Sequence, residues 1–301
     1  MKIRAITYAM MFVFGLTVRG DLIFNHSGSA DPVSEGWLLE RTGSGVGTSP
    51  EIGDQDGVID AWSINDTSTG TDSLIYRGNI SALQQVNIAS NGWKLSVLIR
   101  VVDLPTLTSG SNAENNSIVL KVRPGLGSRD FDLVIGYNVE HDLPALIVNG
   151  INHWGTNSYS LIEAEYTAKV GEWGEALLTM SIDGTRRSTY SGASPNGSGS
   201  PYVAWGASAS TTIGHAHWSK VTFDSLPAFE QPKMCAFRVL PDTHVRYQVT
   251  NIRRGVYYRF EKSTNLVDWS FLTGTRPNDY GDLIHTWPIA SEKLFYRVGI
   301  K

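Results

Sequence analysis

Two groups of carboxylates in this chain are spaced so that they could do chemistry. The first is the run Asp54-Gln-Asp-Gly-Val-Ile-Asp60, which places three carboxylates around a glycine. A loop this rich in oxygen ligands suits Ca²⁺, although it lacks the third early acid and the closing Glu of an EF-hand. Two interpretations stay open: a calcium site formed by Asp54, Asp56 and Asp60, or a solvated turn that holds no metal. The sequence predicts no other cofactor.

Glu163 and Glu165 form the second group. They are two residues apart in a segment whose composition is typical of a β-strand, so both side chains would project from one face. A pair of carboxylates on one face superficially matches the acid–base pair of a retaining glycosidase. The alternative, which the pattern favours, is that both glutamates lie on a solvated sheet face.

Two histidines and one cysteine are the other residues that could act as ligands or nucleophiles. His215 and His217 would share a strand face, which is compatible with metal binding, but the sequence assigns no third ligand. Two surface histidines beside Trp218 are therefore the preferred interpretation. Cys235 is the single cysteine and has no evident partner base, and no Gly-x-Ser-x-Gly elbow is present. The sequence thus offers no complete catalytic set.

Aromatic side chains are the remaining resource for ligand binding. An exposed Trp or Tyr can stack on a sugar ring, because its ring combines apolar area with a polar group. The candidate ligand-binding residues lie beside Gly-rich or charged turns and are Trp154, Tyr159 and Trp173. For each of them, packing in the core or at an edge is the alternative.

Short segments that are rich in β-branched or aromatic residues predict the strands that must position these side chains. Residues 177–184 alternate between an apolar face and a polar face: Leu178, Met180 and Ile182 against Thr179, Ser181 and Asp183. Roughly a dozen such strands, without long helices between them, are typical of sandwiches. The sequence therefore predicts an all-β fold, with an antiparallel jelly-roll β-sandwich followed by a second, smaller β-sandwich.

The remaining packing predictions concern one helix and three tryptophans. Ser81–Ala89 has a helical pattern of about two turns, with Leu83 and Val86 facing inward and Ile88 as a further inward candidate. Tryptophans in alternating strand patterns are expected in the core, and these are Trp62, Trp93 and Trp269.

The chain divides into four predicted segments. The basic residues 1–4 and the apolar residues 5–18 are typical of a signal peptide, with a buried N-terminal strand as the alternative. The predicted segments are a signal peptide at 1–20, the jelly roll at 21–226, a proline-bracketed linker at 227–235 and the small β-sandwich at 236–301. We expect the protein to be secreted, or to lie in the periplasm or at the cell surface, without a membrane span after signal removal.

Residues 21–226 resemble the bacterial laminin-G-like, concanavalin-A-like jelly rolls. The resemblance is carried, in order along the chain, by residues 31–37, 61–66, 92–95, 181–184, 205–210 and 218–223. The C-terminal residues resemble a small fibronectin-type-III-like module of exported bacterial proteins, on the basis of residues 258–269 and 295–298. These families share a fold but differ in role, so the resemblance implies architecture more firmly than function.

The enzymes built on jelly rolls provide a test of the Glu163 and Glu165 pair. Jelly-roll glycoside hydrolases use a Glu-x-Asp-x-Glu or Glu-x-Asp-x-x-Glu run, whereas Ala164 stands between these two glutamates and no further acid follows in step. The sequence also lacks the short motifs of Arg, Gln, His and Tyr that jelly-roll alginate lyases carry. The pair therefore departs from both catalytic patterns.

Composition narrows the expected partners. The formal net charge is -4 and no basic stripe occurs, so nucleic acid is not an expected partner. The preferred hypothesis is an exported non-enzymatic protein whose jelly roll binds a polysaccharide or cell-surface glycan. The alternatives are a polysaccharide-degrading enzyme on the same scaffold and a structural surface component that contacts only proteins.

Overall fold

The computed structural model describes most of the chain. The described residues are 20–54, 57–68, 70–103, 118–125, 130–138, 143–148, 151–154, 158–191, 200–208, 213–240, 244–277, 281–288 and 295–301. The predicted signal peptide and Asp56 lie outside them. Within the described part of the chain, no helix has the length and apolar character that a membrane crossing requires.

Strands dominate the described residues, with one α-helix, α1 (Ala82–Asn91), and a 3₁₀ helix at Pro32–Glu35. In chain order the strands are β1 (Leu22–Ser27), β2 (Leu38–Thr42), β3 (Val46–Asp54), β4 (Ile59–Asp66), β5 (Ser73–Asn79), β6 (Gly92–Asp103), β7 (Ile118–Arg123), β8 (Phe131–Asn138), β9 (Leu143–Val148), β10 (Ile151–Trp154), β11 (Ser160–Thr167), β12 (Leu177–Ile182), β13 (Thr185–Ser191), β14 (Tyr202–Ala207), β15 (Gly214–Ser225), β16 (Lys233–Val239), β17 (His244–Ile252), β18 (Tyr258–Ser263), β19 (Ser270–Thr275), β20 (Gly281–Pro288) and β21 (Phe295–Ile300).

The first fifteen strands form the large sandwich from two antiparallel sheets. The eight-stranded sheet has the order β13-β12-β11-β6-β15-β4-β3, with β1 also paired to β15. The seven-stranded sheet has the order β10-β9-β8-β7-β14-β5-β2. Strands that are distant in sequence are neighbours in both sheets, as in β6-β15 and β7-β14. The predicted all-β jelly-roll sandwich is therefore confirmed.

The core of the large sandwich is built around tryptophans. Trp205 of the seven-stranded sheet lies 5.1 Å from Trp218 of the eight-stranded sheet, ring centroid to ring centroid, and both are fully buried. Trp37 meets Trp205 edge-on at 5.7 Å. Trp62 and Trp93 are buried as well, as predicted. Large aromatic side chains bury much apolar area each, so this cluster fixes the two sheets face to face.

Helix α1 matches the predicted segment closely but exposes a different side. Ser81 caps its N-terminus, and Gln84 closes a capping box with the Ser81 backbone N–H. Ile88 is fully buried, whereas Leu83 and Val86 are 73% and 55% exposed. The predicted inward orientation of Leu83 and Val86 is therefore wrong. The helix packs on β6 and β15 through the Ile88 side, while Leu83 and Val86 lie on its solvent side.

The small sandwich follows from residue 233. Its two antiparallel three-stranded sheets have the orders β16-β17-β20 and β19-β18-β21, around buried Val249, Tyr258 and Phe260. Strand β16 begins within the predicted linker segment 227–235. Trp269 precedes β19 at the surface, with the Arg297 guanidinium 4.3 Å from its ring centroid, so its predicted core position is wrong. The Trp269 ring therefore packs against the guanidinium of a surface arginine and not against core side chains.

The two sandwiches meet through backbone and arginine contacts. The N–H of Trp173 donates to the carbonyl of Lys301 at 2.9 Å, and the N–H of Glu175 donates to the carbonyl of Gly255 at 2.9 Å. Arg253 donates to the carbonyls of Asn91 and Pro227. The bonds of Gly255 and Arg253 hold the turn between β17 and β18 against the large sandwich, and the bond of Lys301 holds the residue after β21 there.

Candidate functional site

The eight-stranded sheet has one face on the core and a second face, called the outer face, that carries polar side chains. In β6, Leu95 and Val97 are buried in the core, while Lys94, Ser96 and Arg100 project from the opposite side. The pairing of neighbouring strands adds further polar residues to the outer face: Ser63, Glu163, Glu165, Thr179, Ser181, His215 and His217. Period-two alternation thus concentrates hydrogen-bonding groups on one surface.

One end of the outer face holds a connected network of six side chains, called the Asp54 network, which consists of Asp54, Ser63, Arg100, Tyr159, His215 and His217. The register places Arg100, His217 and Ser63 side by side on β6, β15 and β4. The pairing of β3 with β4 shifts register between Glu51 and Asp54. Such a bulge bends a strand and re-aims its side chains, and Asp54 reaches the side chains of β15 and β6.

The carboxylate of Asp54 accepts three hydrogen bonds. Arg100 Nη1 donates to Oδ1 at 2.5 Å, while the Tyr159 hydroxyl and His217 Nδ1 donate to Oδ2 at 2.8 and 2.7 Å. Burial by itself would raise the pKa of Asp54, but the hydrogen bonds from His217, Tyr159 and Arg100 outweigh it and lower the pKa to about 2. The carboxylate is therefore ionised at neutral pH.

Tyr159 responds to the same environment in the opposite direction. Burial, the hydrogen bond to Asp54 and the Asp54 charge together raise the pKa of Tyr159 well above its usual range. Its hydroxyl therefore stays protonated and holds the donor position toward Asp54.

The two histidines extend the network toward Ser63. His217 Nε2 lies 3.1 Å from His215 Nε2, and His215 Nε2 lies 2.8 Å from Ser63 Oγ. Because a carboxylate only accepts, His217 Nδ1 carries a proton, and in neutral His217 the Nε2 atom accepts from His215. A continuous chain of polar contacts therefore runs from Asp54 through the two imidazoles to the Ser63 hydroxyl.

The outer face also contains an open cleft of about 280 Å³ toward its β13 edge, called the charged cleft. Its lining comes from β6, β11, β12 and β13 and from the β17–β18 turn of the small sandwich: Lys94, Glu163, Glu165, Thr179, Met180, Ser181, Gly184, Arg186 and Arg254. Arg100 lies four to six residues along β6 from Ser96 and Lys94, so the cleft and the Asp54 network are about 13–20 Å apart on the same face.

The five charged side chains of the charged cleft differ in their hydrogen-bond and ion-pair partners. Lys94 Nζ lies 2.7 Å from Glu163 Oε1, and Arg254 Nη1 donates to the Thr179 hydroxyl. In contrast, Oε1 of Glu165 is buried without a hydrogen-bond partner among the described residues. A buried carboxylate oxygen without a donor is costly, so this atom is suited to accept from a bound molecule.

A second, smaller cleft of about 170 Å³ lies on the far side of the seven-stranded sheet. It includes Glu40, Arg77, Lys121 and Tyr202, and the Arg77 guanidinium lies 4.3 Å from the Tyr202 ring centroid. Arg77 also pairs with Glu40 at 3.4 Å. This cleft is the alternative surface for a polar ligand.

The structure places Tyr159 and Trp173 in different surroundings. Tyr159 belongs to the Asp54 network. Trp173 is 41% exposed, but Lys301 Nζ lies 4.0 Å from its ring centroid and Tyr257 meets it edge-on at 5.2 Å. Trp154 ends β10, and its side chain lies outside the described residues. Contact of these residues with a sugar stays a prediction.

The predicted calcium loop is only partly described. Asp54 is held by the network, and Oδ1 of Asp60 accepts from the Gly53 N–H at 2.9 Å, while Asp56 lies outside the described residues. Across the described part of the chain, no three or more His, Cys, Asp or Glu side chains are grouped to hold a metal ion. The site at Asp54, Asp56 and Asp60 therefore stays a prediction.

Four cations of the outer face were not singled out by the sequence: Lys94, Arg100, Arg186 and Arg254. The alternation of β6 contains the signal for Lys94 and Arg100, because both fall on the polar side of that strand. Arg254 carries no such signal, since it comes from a turn of the other sandwich.

Comparison with known proteins finds solved structures that are similar to this chain at low sequence identity. No family model matches the chain, and no curated protein matches it. Among solved structures, the chain is similar to a carbohydrate esterase from a Shiga toxin-encoding bacteriophage, with 13% identity, 69% of this chain and 99% of that chain covered, and a TM-score of 0.43. It is also similar to an endo-β-1,4-glucuronan lyase from the fungus Trichoderma reesei, with 9% identity, 68% and 96% covered, and a TM-score of 0.41.

A third similar structure is the exoplasmic/lumenal domain of VIP36 with Ca²⁺ and Man3GlcNAc bound, at 9% identity, 70% and 92% covered, and a TM-score of 0.36. At these identities and TM-scores the likenesses assign neither a family nor a function to this chain.

Proposed function

We propose that this protein binds a carbohydrate polymer on the outer face of its eight-stranded sheet, at the charged cleft. The observation that carries the proposal is the buried, unpartnered Oε1 of Glu165 inside a cleft lined by charged and hydroxyl side chains. Pockets for apolar ligands are lined mainly by apolar side chains, so this lining suits a ligand rich in hydroxyl groups. A sugar hydroxyl donating to Glu165 would remove the cost of its unpaired oxygen.

The proposal includes the setting in which such a polymer is met. The basic and then apolar residues 1–18 have the pattern of an export signal, which supports a secreted, periplasmic or surface-located protein. The polymer is then a polysaccharide or a cell-surface glycan, and binding need not involve its cleavage.

Binding is tested with a glycan array and insoluble-polysaccharide pull-downs on the full chain, with and without Ca²⁺. Glu165→Gln is expected to weaken binding by about 10- to 100-fold. This factor corresponds to the contribution of about 1.5–3 kcal/mol that a hydrogen bond to a charged group makes. Glu40→Gln, in the smaller cleft on the other sheet, is the matched control and should bind as the wild type does. Absence of binding to every polysaccharide would refute the proposal, and loss of binding in Glu40→Gln alone would move the site to the other sheet. Dependence on Ca²⁺ would support a metal at Asp54, Asp56 and Asp60.

A second candidate function is cleavage of the bound polysaccharide, and the Asp54 network favours it. The network joins an ionised carboxylate, two imidazoles and two hydroxyl groups on the same face as the charged cleft. Titratable groups with perturbed pKa values cluster at functional sites, and such groups serve as general acids and bases. Reducing-end and unsaturated-product assays on a polysaccharide panel test this candidate. Product formation that His217→Ala abolishes would support it, and no product from any polymer would exclude it.

A further inference from the structure

We infer that the charged cleft recognises an anionic group of its glycan, a carboxylate or a sulfate, and that the small sandwich supplies Arg254 to bind it. This inference rests on the proposed function and specifies the class of polymer. It also assigns the C-terminal sandwich a direct part in the binding site.

The balance of charge in the cleft favours an anion. Three cationic side chains, Lys94, Arg186 and Arg254, line it together with only two carboxylates, Glu163 and Glu165. Lys94 and Glu163 pair at 2.7 Å, and the lining as a whole carries one more cation than carboxylates. Guanidinium groups present a planar fork of donors that matches carboxylate and sulfate oxygens. Glu165 is left to accept from a neighbouring hydroxyl of the same sugar.

The net charge of the whole protein does not favour binding of a polyanion. The formal net charge is -4, so the protein as a whole does not attract a polyanion. Affinity for an acidic polymer would have to come from a local group of cations, and the charged cleft provides one.

Arg254 is held in the cleft by the backbone around it. The neighbouring Gly255 has φ +79°, and a Cβ there would lie 2.7 Å from the carbonyl oxygen of Glu175. The N–H of Glu175 donates to the carbonyl of Gly255 at 2.9 Å. This close approach fixes the turn on the large sandwich, and Arg254 Nη1 then donates to the hydroxyl of the buried Thr179. The contact between the sandwiches therefore completes the cleft.

Arg276 provides a matched control at the same contact between the sandwiches. It pairs with Glu175 at 2.7 Å and donates to the carbonyl of Trp173 at 2.6 Å, yet it does not line the charged cleft. Arg276→Ala removes two bonds of this contact, leaves its backbone bonds in place, and removes no cation from the site.

The experiment measures affinity of the full chain for three soluble polymers: a polyuronate, the same polymer after reduction of its carboxylates to alcohols, and a sulfated polysaccharide. At least one anionic polymer is expected to bind about tenfold or more tightly than the reduced one, the scale of a charge-assisted bidentate contact. Comparison of the polyuronate with the sulfated polymer identifies which anion is recognised. Equal binding of the reduced and acidic polymers would overturn this inference while leaving the proposed function intact. Binding to no polysaccharide at all would overturn both.

Variants of the same chain test the part played by the small sandwich. Arg254→Ala should lose about tenfold or more of the affinity for the anionic polymer, Arg254→Lys should lose less, and Arg276→Ala should match the wild type. Thermal unfolding of each variant establishes that it is folded. Equal losses in Arg254→Ala and Arg276→Ala would show that the contact between the sandwiches matters rather than the cation, and would overturn the assignment.

Discussion

The Asp54 network makes the sharpest prediction about stability. Asp54→Asn removes the charge that Arg100, His217 and Tyr159 surround, while nearly preserving the shape of the side chain. The wild-type pKa falls from 3.8 to about 2, and each pKa unit corresponds to about 1.4 kcal/mol. The ionised carboxylate therefore contributes about 2 kcal/mol to the free energy of unfolding at neutral pH, and the variant should lose about this amount.

The pH dependence of that loss follows from the direction of the pKa shift. Because the folded-state pKa of Asp54 is lower than its unfolded value, its contribution is fully present above about pH 4 and disappears as the pH falls toward 2. The stability difference between wild type and Asp54→Asn should shrink over this interval.

Urea unfolding of both proteins across the range from pH 7 to pH 2 measures the difference directly. Asp60→Asn is the control, because Asp60 lies in the same hairpin and accepts only a backbone hydrogen bond from Gly53 among the bonds described for it. The reasoning would be refuted if Asp54→Asn matched the wild type at neutral pH, or if its deficit did not change with pH.

Four further substitutions test the packing, with the free energy of unfolding as the measurement. Trp205→Ala should lower the free energy of unfolding by roughly 3–5 kcal/mol, because it leaves a cavity at the centre of the aromatic core. Leu83→Ala, at an exposed position of α1, should change it by no more than about 0.5 kcal/mol. Equal effects of the two substitutions would contradict the burial described. Ser81→Ala should cost about 1 kcal/mol through loss of the helix cap, and no loss would argue against the capping box. Gly255→Ala should destabilise the contact between the sandwiches by more than about 1 kcal/mol, because its φ is positive and its Cβ would meet Glu175; tolerance would contradict that close approach.

The sequence predicted the fold because alternation is a local property. Leu178, Met180 and Ile182 are buried as their spacing indicates, and so are Trp62 and Trp93. Helix α1 was also predicted, since its helical spacing lies within a few residues. The buried side of the helix was not predicted correctly, because the sheet that the helix packs on determines which of the side chains at positions 83, 86 and 88 is covered.

The candidate site depends on neighbours that the sequence does not reveal. Period-two alternation says that Glu163 and Glu165 share a face, but it does not say that Lys94 is opposite them or that Arg254 comes from another sandwich. Asp54 was predicted as an oxygen ligand from its local loop. Its partners Arg100 and His217 are 46 and 163 residues away, and a register shift in β3 precedes it in the strand.

The most direct test of binding at the outer face is a crystal structure of the full chain with an oligosaccharide from the polymer that binds most tightly. The proposal predicts electron density for the sugar in the charged cleft, with a hydroxyl within hydrogen-bond distance of Glu165 Oε1 and an anionic group beside Arg254. Density for the sugar beside Arg77 and Tyr202 on the other sheet, with an empty charged cleft, would contradict it.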